Sequence, residues 1–145
     1  MSLPTPEPGL VIPYAYLWRH EHRKGQEEGR KVRPSVIVLA VQSPKGSAPR
    51  VTVVPITHTP PAKGGVCVIE LPPRVKQVLG LDDDRSWIVL DEVNQFAWPG
   101  YDIRPVPGSK DRFAYGFIPP RLYDTVIGRI LELAAARRVT EISRD

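Results

Sequence analysis

Apolar residues occur in short runs that are separated by segments rich in proline and glycine. Runs of β-branched and aromatic residues bounded by such segments are typical of strands. The predicted strands are residues 10–18 (LVIPYAYLW), 34–42 (PSVIVLAVQ), 50–57 (RVTVVPIT), 66–71 (VCVIEL) and 86–93 (SWIVLDEV). Pro13 predicts an edge position or a bend in the first strand, because proline cannot donate a hydrogen bond to a central ladder.

Two segments predict helices. Residues 73–79 begin with a proline in the first turn and are followed by Gly80, which is typical of a helix end. Residues 119–138 (PPRLYDTVIGRILELAAARR) place apolar side chains at helical spacing and end in two arginines that suit a helix C-terminus. Residues 95–112 predict a long ordered loop, and 112–118 (RFAYGFI) are compatible with a further short strand.

These elements predict a mainly β fold of the α+β class, with a short helix and a C-terminal amphipathic helix. Short strands with frequent turns favour a small curled sheet or barrel. The length of the chain predicts a single domain over residues 1–145, with a loose arm at 1–9 and a polar tail at 139–145. Sheet edges must be covered, and the terminal helix and a homodimer partner could cover them.

The cysteine content and the lack of long apolar runs indicate the cellular compartment of the protein. Cys67 is the single cysteine, which excludes an intrachain disulfide and a cysteine-rich zinc site and is typical of a reducing compartment. The first residues lack the features of a signal peptide, and no apolar run approaches the roughly 20 residues that span a bilayer. We therefore expect a soluble cytoplasmic protein without membrane contact.

The net charge of +4 is modest, but the positive charges are clustered. Such a cluster favours binding to a polyanion. Three glutamates, Glu21, Glu27 and Glu28, are interspersed. The clustered cations are Arg19, Arg23, Lys24, Arg30, Lys31 and Arg33.

Arg33 lies where this cationic segment enters the second predicted strand. Pro34 stiffens the chain beside it, and a strand-anchored guanidinium can pair two of its donors with phosphate oxygens. The simpler interpretation is a solvated cation at the end of a strand.

The ends of two other predicted strands carry polar groups. The third ends in Thr57 and His58, and a histidine can transfer protons near neutral pH. The fifth ends in Asp91, and a carboxylate there can act as a general base if its surroundings raise its pKa. A simple turn at Thr57 and a salt bridge at Asp91 are the simpler alternatives.

No cofactor or metal is expected. His20 and His22 could lie on one face of a strand, but zinc requires three or four ligands and no third is evident. The run 82–84 (DDD) predicts a solvated turn rather than a calcium loop. No glycine-rich phosphate loop occurs.

The chain has a first strand with Trp18, a charged glycine loop (GQEEG), the K-x-R-P strand KVRPSVIVL, the strand end VVPIT, a strand ending in an acid, and a terminal helix. In this order, the motifs resemble the PemK/MazF family of toxins from bacterial type II toxin–antitoxin systems. The match covers roughly residues 9–135. The K-x-R-P and P-[IVL]-T motifs are fairly specific together, and either alone would be weak.

The resemblance implies an SH3-like β-barrel, a homodimer and a metal-independent endoribonuclease that cleaves single-stranded RNA to a 2′,3′-cyclic phosphate. It assigns the catalytic arginine to Arg33, the threonine to Thr57 and the acid to Asp91. The chain departs from the family pattern at Val89, where some members have a basic residue, at Gln26, where some have a histidine, and at His58, where a small residue is common.

In the implied chemistry, Arg33 stabilises the phosphorane and could double as the acid, Thr57 hydrogen-bonds the scissile phosphate, and Asp91 or His58 is the base. The wall of the RNA groove would be formed by Arg19, Arg23, Lys24, Gln26, Arg30 and Lys31. The resemblance also implies a cognate antitoxin with an acidic disordered segment that competes with RNA. The alternative is an inactive SH3-like module that binds RNA or protein without cleavage.

Overall fold

The computed structural model describes residues 3–18, 31–42, 47–61 and 67–144. Within these ranges, eight strands form one connected sheet, and two helices accompany it. The strands are β1 (Leu10–Ala15), β2 (Val32–Val41), β3 (Arg50–Thr57), β4 (Val68–Glu70), β5 (Trp87–Val89), β6 (Glu92–Ala97), β7 (Gly116–Phe117) and β8 (Thr140–Ser143). The helices are α1 (Pro73–Leu79) and α2 (Pro120–Ala135).

The sheet curls because one edge of β3 has two successive partners. The main path is β4-β5-β3-β2-β1-β7, and β2 pairs with the other edge of β3 over residues 50–55. The start of β3 pairs with β6 over residues 50–53, whereas its end pairs with β5 over residues 56–57. The pairs are antiparallel except for β6 with β8, which is parallel. This is a mainly β fold consistent with a small barrel, as the sequence predicted.

Both faces of the central strands are buried. Val11 of β1 and Val36 of β2 pack with the apolar face of α2, in a cluster that includes Val126. Their neighbours Ile12 and Ile37 pack on the opposite face with an aromatic group that includes the stacked rings of Tyr14 and Phe96. Burial on both faces explains why the strands appear in the sequence as continuous apolar runs instead of alternating ones.

The two predicted helices are present. α1 covers the predicted residues, and Gly80 ends it with a left-handed φ of 73°. α2 ends at Ala135, and the hydroxyl of Tyr123 on this helix donates a hydrogen bond of 2.7 Å to the carbonyl oxygen of Val38 in β2. Neither helix of the described chain is long and apolar enough to cross a bilayer.

The predicted fifth strand is two strands in the structure. β5 ends at Val89 and β6 begins at Glu92, because the chain between them passes from one half of β3 to the other. The predicted loop over residues 95–112 is therefore wrong at its start, where residues 95–97 complete β6. The arm at 3–8 forms no strand, although the amide of Gly9 donates to the carbonyl of Ile37.

The segment predicted as a polar tail contains β8. The single apolar residue of β8, Ile142, is buried, and Arg144 lies beneath the surface with its guanidinium against Asp102. The guanidinium donates two hydrogen bonds to the carboxylate, at 3.1 and 3.2 Å. The hydroxyl of Tyr14 donates a third at 3.4 Å. One apolar residue among polar ones carries no periodic signal, so the sequence could not indicate this strand.

Replacing Arg144 with methionine is expected to lower the free energy of unfolding by about 3 to 5 kcal/mol, because it leaves the Asp102 charge buried without its partner. Urea denaturation followed by circular dichroism measures the loss. Arg129→Met, at an exposed position of α2, is the matched control and should change stability little. Equal stabilities of the two variants would contradict the assigned role of this ion pair.

Candidate functional site

The side chain of Arg33 is fixed by a strand and by an aromatic ring. Arg33 lies near the start of β2, where it pairs with Tyr14 of β1. Its guanidinium carbon lies 5.2 Å from the centre of the Trp18 ring. Such a cation–π contact contributes roughly 0.5 to 2 kcal/mol, depending on desolvation. The charge of Arg33 is therefore directed by a rigid element and is not merely that of a solvated strand end.

Trp18 is in turn held by a buried asparagine. β1 ends at Ala15, and the chain beyond it is tied to β6 by the side chain of Asn94, which is fully buried. The amide of Leu17 donates to Oδ1 of Asn94 at 3.0 Å, and Nδ2 of Asn94 donates to the carbonyl of Leu17 at 3.0 Å. The asparagine thus replaces a strand partner and positions the residue that supports Arg33.

Two cavities meet at Arg33. The first has a volume of about 310 Å³, and its lining includes Lys31, Arg33 and His58. The second, of about 350 Å³, is lined in part by Trp18, Arg33 and Thr57. The structure therefore brings three of the four predicted catalytic residues together: Arg33, Thr57 and His58.

Thr57 ends β3 opposite Trp87 and is almost completely buried. Its hydroxyl oxygen accepts a hydrogen bond of 3.1 Å from the amide of Thr59, so the predicted turn is present. The hydroxyl proton is still available as a donor, because this bond uses only an oxygen lone pair. The turn and a role in binding are therefore compatible.

His58 contacts an acid that sequence reasoning treated as a solvated turn. Its Nε2 lies 2.8 Å from Oδ2 of Asp82. The ammonium of Lys76, which is buried, donates to Oδ1 of Asp82 at 2.6 Å, to the hydroxyl of Ser86 at 2.7 Å and to the carbonyl of Asp84. The hydrogen bond from Lys76, helped by the nearby His58, holds the pKa of Asp82 below its usual value despite partial burial.

The sequence does contain a weak sign of this cluster. Lys76 lies three residues before the buried Leu79 and therefore on the inner face of α1, and three aspartates follow the helix. A lysine on the apolar face of a helix requires an acceptor nearby, because burying an unpaired ammonium is costly. The aspartate run was the obvious source of that acceptor.

Asp91 lies elsewhere. It is not among the described residues that line either cavity. Its carboxylate is near Cys67. Burial of the Cys67 thiol raises the pKa of that thiol, and the negative charge of Asp91 raises it further. Nη2 of Arg138 donates a hydrogen bond to the same sulfur at 3.3 Å. The strand register explains the separation. Trp87 pairs with Thr57, and the chain then continues through β5 and past its end at Val89, so Asp91 lies beyond the end of β5 that is remote from Thr57.

One of the predicted RNA-binding residues, Lys31, belongs to the described part of the chain. Lys31 is exposed and lines the first cavity. Arg19, Arg23, Lys24, Gln26 and Arg30 lie outside the described residues, as do His20 and His22. The chain leaves the described part after Trp18 and re-enters it at Lys31, and both of these residues line the cavities. The described residues on either side of residues 19–30, Trp18 and Lys31, therefore both lie at the site.

Among the described residues, one group could offer three ligands to a metal ion. It consists of His58, Asp82 and Asp84, whose donor atoms all lie within 4.8 Å of one another. Lys76 already donates to Asp82, and a second cation beside its ammonium would be repelled. The donor set therefore fits a hydrogen-bonded network better than a metal site.

Replacing Asn94 with alanine is expected to destabilise the protein by about 2 to 4 kcal/mol, because the buried amide and carbonyl of Leu17 lose their partners. Gln95→Ala is the matched control, since Gln95 is the next residue of β6 and gives its backbone carbonyl to Arg144. Guanidinium denaturation of both variants measures the difference. Asn94→Ala with the stability of the control would refute this anchoring role.

Searches with the sequence against protein-family models and against curated proteins find no match. The interpretation of the site therefore depends on its residues, its geometry and the motif resemblance. All three concern the same small region, where Arg33 of β2 meets the end of β3.

Proposed function

We propose that the protein is a metal-independent endoribonuclease of the PemK/MazF type, which cleaves single-stranded RNA and serves as the toxin of a type II toxin–antitoxin system. The observation that carries the proposal is the meeting of Arg33, Thr57 and His58 at two adjoining cavities. The K-x-R-P and P-[IVL]-T motifs supply two of these three residues. The mainly β fold is compatible with the SH3-like barrel of that family.

The cavity walls suit a phosphodiester. The Arg33 guanidinium offers several donors in a plane, and Lys31 adds a second charge beside it. Thr57 can donate its hydroxyl proton to a phosphoryl oxygen. The clustered cations of residues 19–31 would add sequence-independent attraction to the RNA backbone.

The reaction would proceed by attack of the RNA 2′-hydroxyl on the adjacent phosphorus. His58 takes the 2′-hydroxyl proton while the bond between the 2′-oxygen and phosphorus forms. Arg33 stabilises the charge that develops on the phosphoryl oxygens. The bond from phosphorus to the 5′-oxygen breaks, and this oxygen takes a proton from solvent, because a guanidinium does not release its own. The products are a 2′,3′-cyclic phosphate and a 5′-hydroxyl.

Partners follow from the same proposal. A homodimer would cover strand edges that a single copy leaves open. An antitoxin with an acidic disordered segment would match the basic site and compete with RNA for Arg33. The protein would act in the cytoplasm, where both partners are found.

Cleavage of a long mixed-sequence RNA in EDTA, with the fragment ends mapped, tests the proposal. We expect discrete cuts that end in 2′,3′-cyclic phosphate. Arg33→Ala should lower the rate about 10²- to 10³-fold, since it removes a donor to the developing charge, and Arg33→Lys should recover only part of it. Arg129→Ala, an exposed arginine on α2, is the control. RNA binding without any cleavage by the wild-type protein would instead identify a non-catalytic binding module.

Cleavage rates of two variants distinguish the two candidate bases, His58 and Asp91. His58→Gln should lower the single-turnover rate by about 10² to 10⁴, because a general base is lost. Asp91→Asn should have the smaller effect, since this carboxylate lies near Cys67 and does not line either cavity. A larger loss in Asp91→Asn than in His58→Gln would overturn the assignment of His58.

A further inference from the structure

We infer that Asp82 and Lys76 are positioning residues that hold His58 in one tautomer, so that Nδ1 is the ring nitrogen that accepts the proton. The inference rests on the proposed ribonuclease function and deepens it, because it names the reacting atom and the groups that prepare it. The motif resemblance does not include either residue.

The two oxygens of Asp82 have different partners. Oδ2 faces Nε2 of His58 at 2.8 Å, whereas Oδ1 accepts from Lys76 at 2.6 Å and from the amide of Asp84 at 3.1 Å. A carboxylate with three fixed partners cannot rotate freely, although half of its side chain is exposed. It therefore presents a lone pair to Nε2 in a constant direction.

Lys76 fixes the carboxylate and takes no direct part in binding. Its side chain is only 5% exposed, and its ammonium has three acceptors: Asp82, the carbonyl of Asp84 and the hydroxyl of Ser86. An ammonium has three hydrogens, so all of them are used. Lys76 borders the same cavity as Arg33, but it has no donor left for a phosphate.

The ionised state of Asp82 favours the proposed tautomer of His58. The hydrogen bond from Lys76 lowers the pKa of Asp82, so the carboxylate is ionised at neutral pH. An ionised acceptor at Nε2 keeps the proton of the neutral ring on that nitrogen, and Nδ1 then carries the lone pair. When Nδ1 accepts the 2′-hydroxyl proton, the imidazolium forms beside a carboxylate that stabilises it, as in other histidine–carboxylate pairs.

Asp82→Asn gives a specific test, because Lys76 constrains the new amide. Lys76 donates to the carbonyl oxygen that remains, so the amide nitrogen turns toward His58. It then donates to Nε2, and the proton of the neutral ring moves to Nδ1. We expect ¹⁵N NMR of labelled histidine to show Nε2–H in the wild-type protein and a shift of population to Nδ1–H in Asp82→Asn.

Asp83→Asn is the matched control, since it makes the same change of charge at the neighbouring exposed position. Single-turnover RNA cleavage should fall about 10- to 100-fold in Asp82→Asn relative to this control, as for other groups that orient a functional histidine. RNA affinity should change equally in the two variants, because each loses one negative charge. Ser86→Ala, which removes one acceptor of Lys76, should give a smaller loss of rate without unfolding the protein.

Two results would overturn the inference. One is cleavage by Asp82→Asn at the rate of Asp83→Asn, and the other is an unchanged His58 tautomer in Asp82→Asn. Failure of the proposed function is distinguishable from both, because it would appear as no cleavage by the wild-type protein. The NMR measurement would still determine whether Asp82 binds Nε2 in that case.

Discussion

The two hydrogen bonds between Asn94 and Leu17 determine where the Arg33 charge lies. They replace strand pairing where β1 has ended, and they place Trp18 beneath the guanidinium. Both groups of Leu17 are buried and cannot exchange their partner for water, so the segment has one low-energy position. The orientation of Arg33 is therefore a consequence of a buried amide on β6, a strand that does not itself border the cavities.

A second polar network supports His58 at the same site. α1 brings Lys76 inward, the following turn supplies Asp82, and β3 ends in Thr57 and His58. Burying an ammonium is tolerated here because each of its hydrogens has an acceptor. Segments distant in sequence are thus joined by polar contacts at the end of β3. Arg33 is supported by Trp18, whereas His58 is supported by Asp82, at the same site.

Local patterns predicted the elements well where the chain is locally determined. Residues 50–57 and 73–79 are the strand and helix that their sequence indicates, because periodicity and end signals suffice for both. The division of the fifth strand and the strand in the tail depend on pairing with distant segments, which no local pattern encodes. The same limit applies to the site. Arg33, Thr57 and His58 follow from motif and strand ends, whereas the Asp82 contact and the separation of Asp91 depend on tertiary register.

The proposed RNA site is the place where Arg33, Thr57 and His58 meet. The most direct measurement is a titration of ¹⁵N-labelled protein with a 2′-O-methyl RNA oligonucleotide, which cannot be cleaved because its 2′-oxygen is blocked. RNA binding at this site should cause saturable shift changes at Nε of Arg33 and at the amides of Thr57 and His58, with little change at Cys67 and Arg138. Changes centred on Cys67 and Arg138, or no change at Arg33, would contradict it.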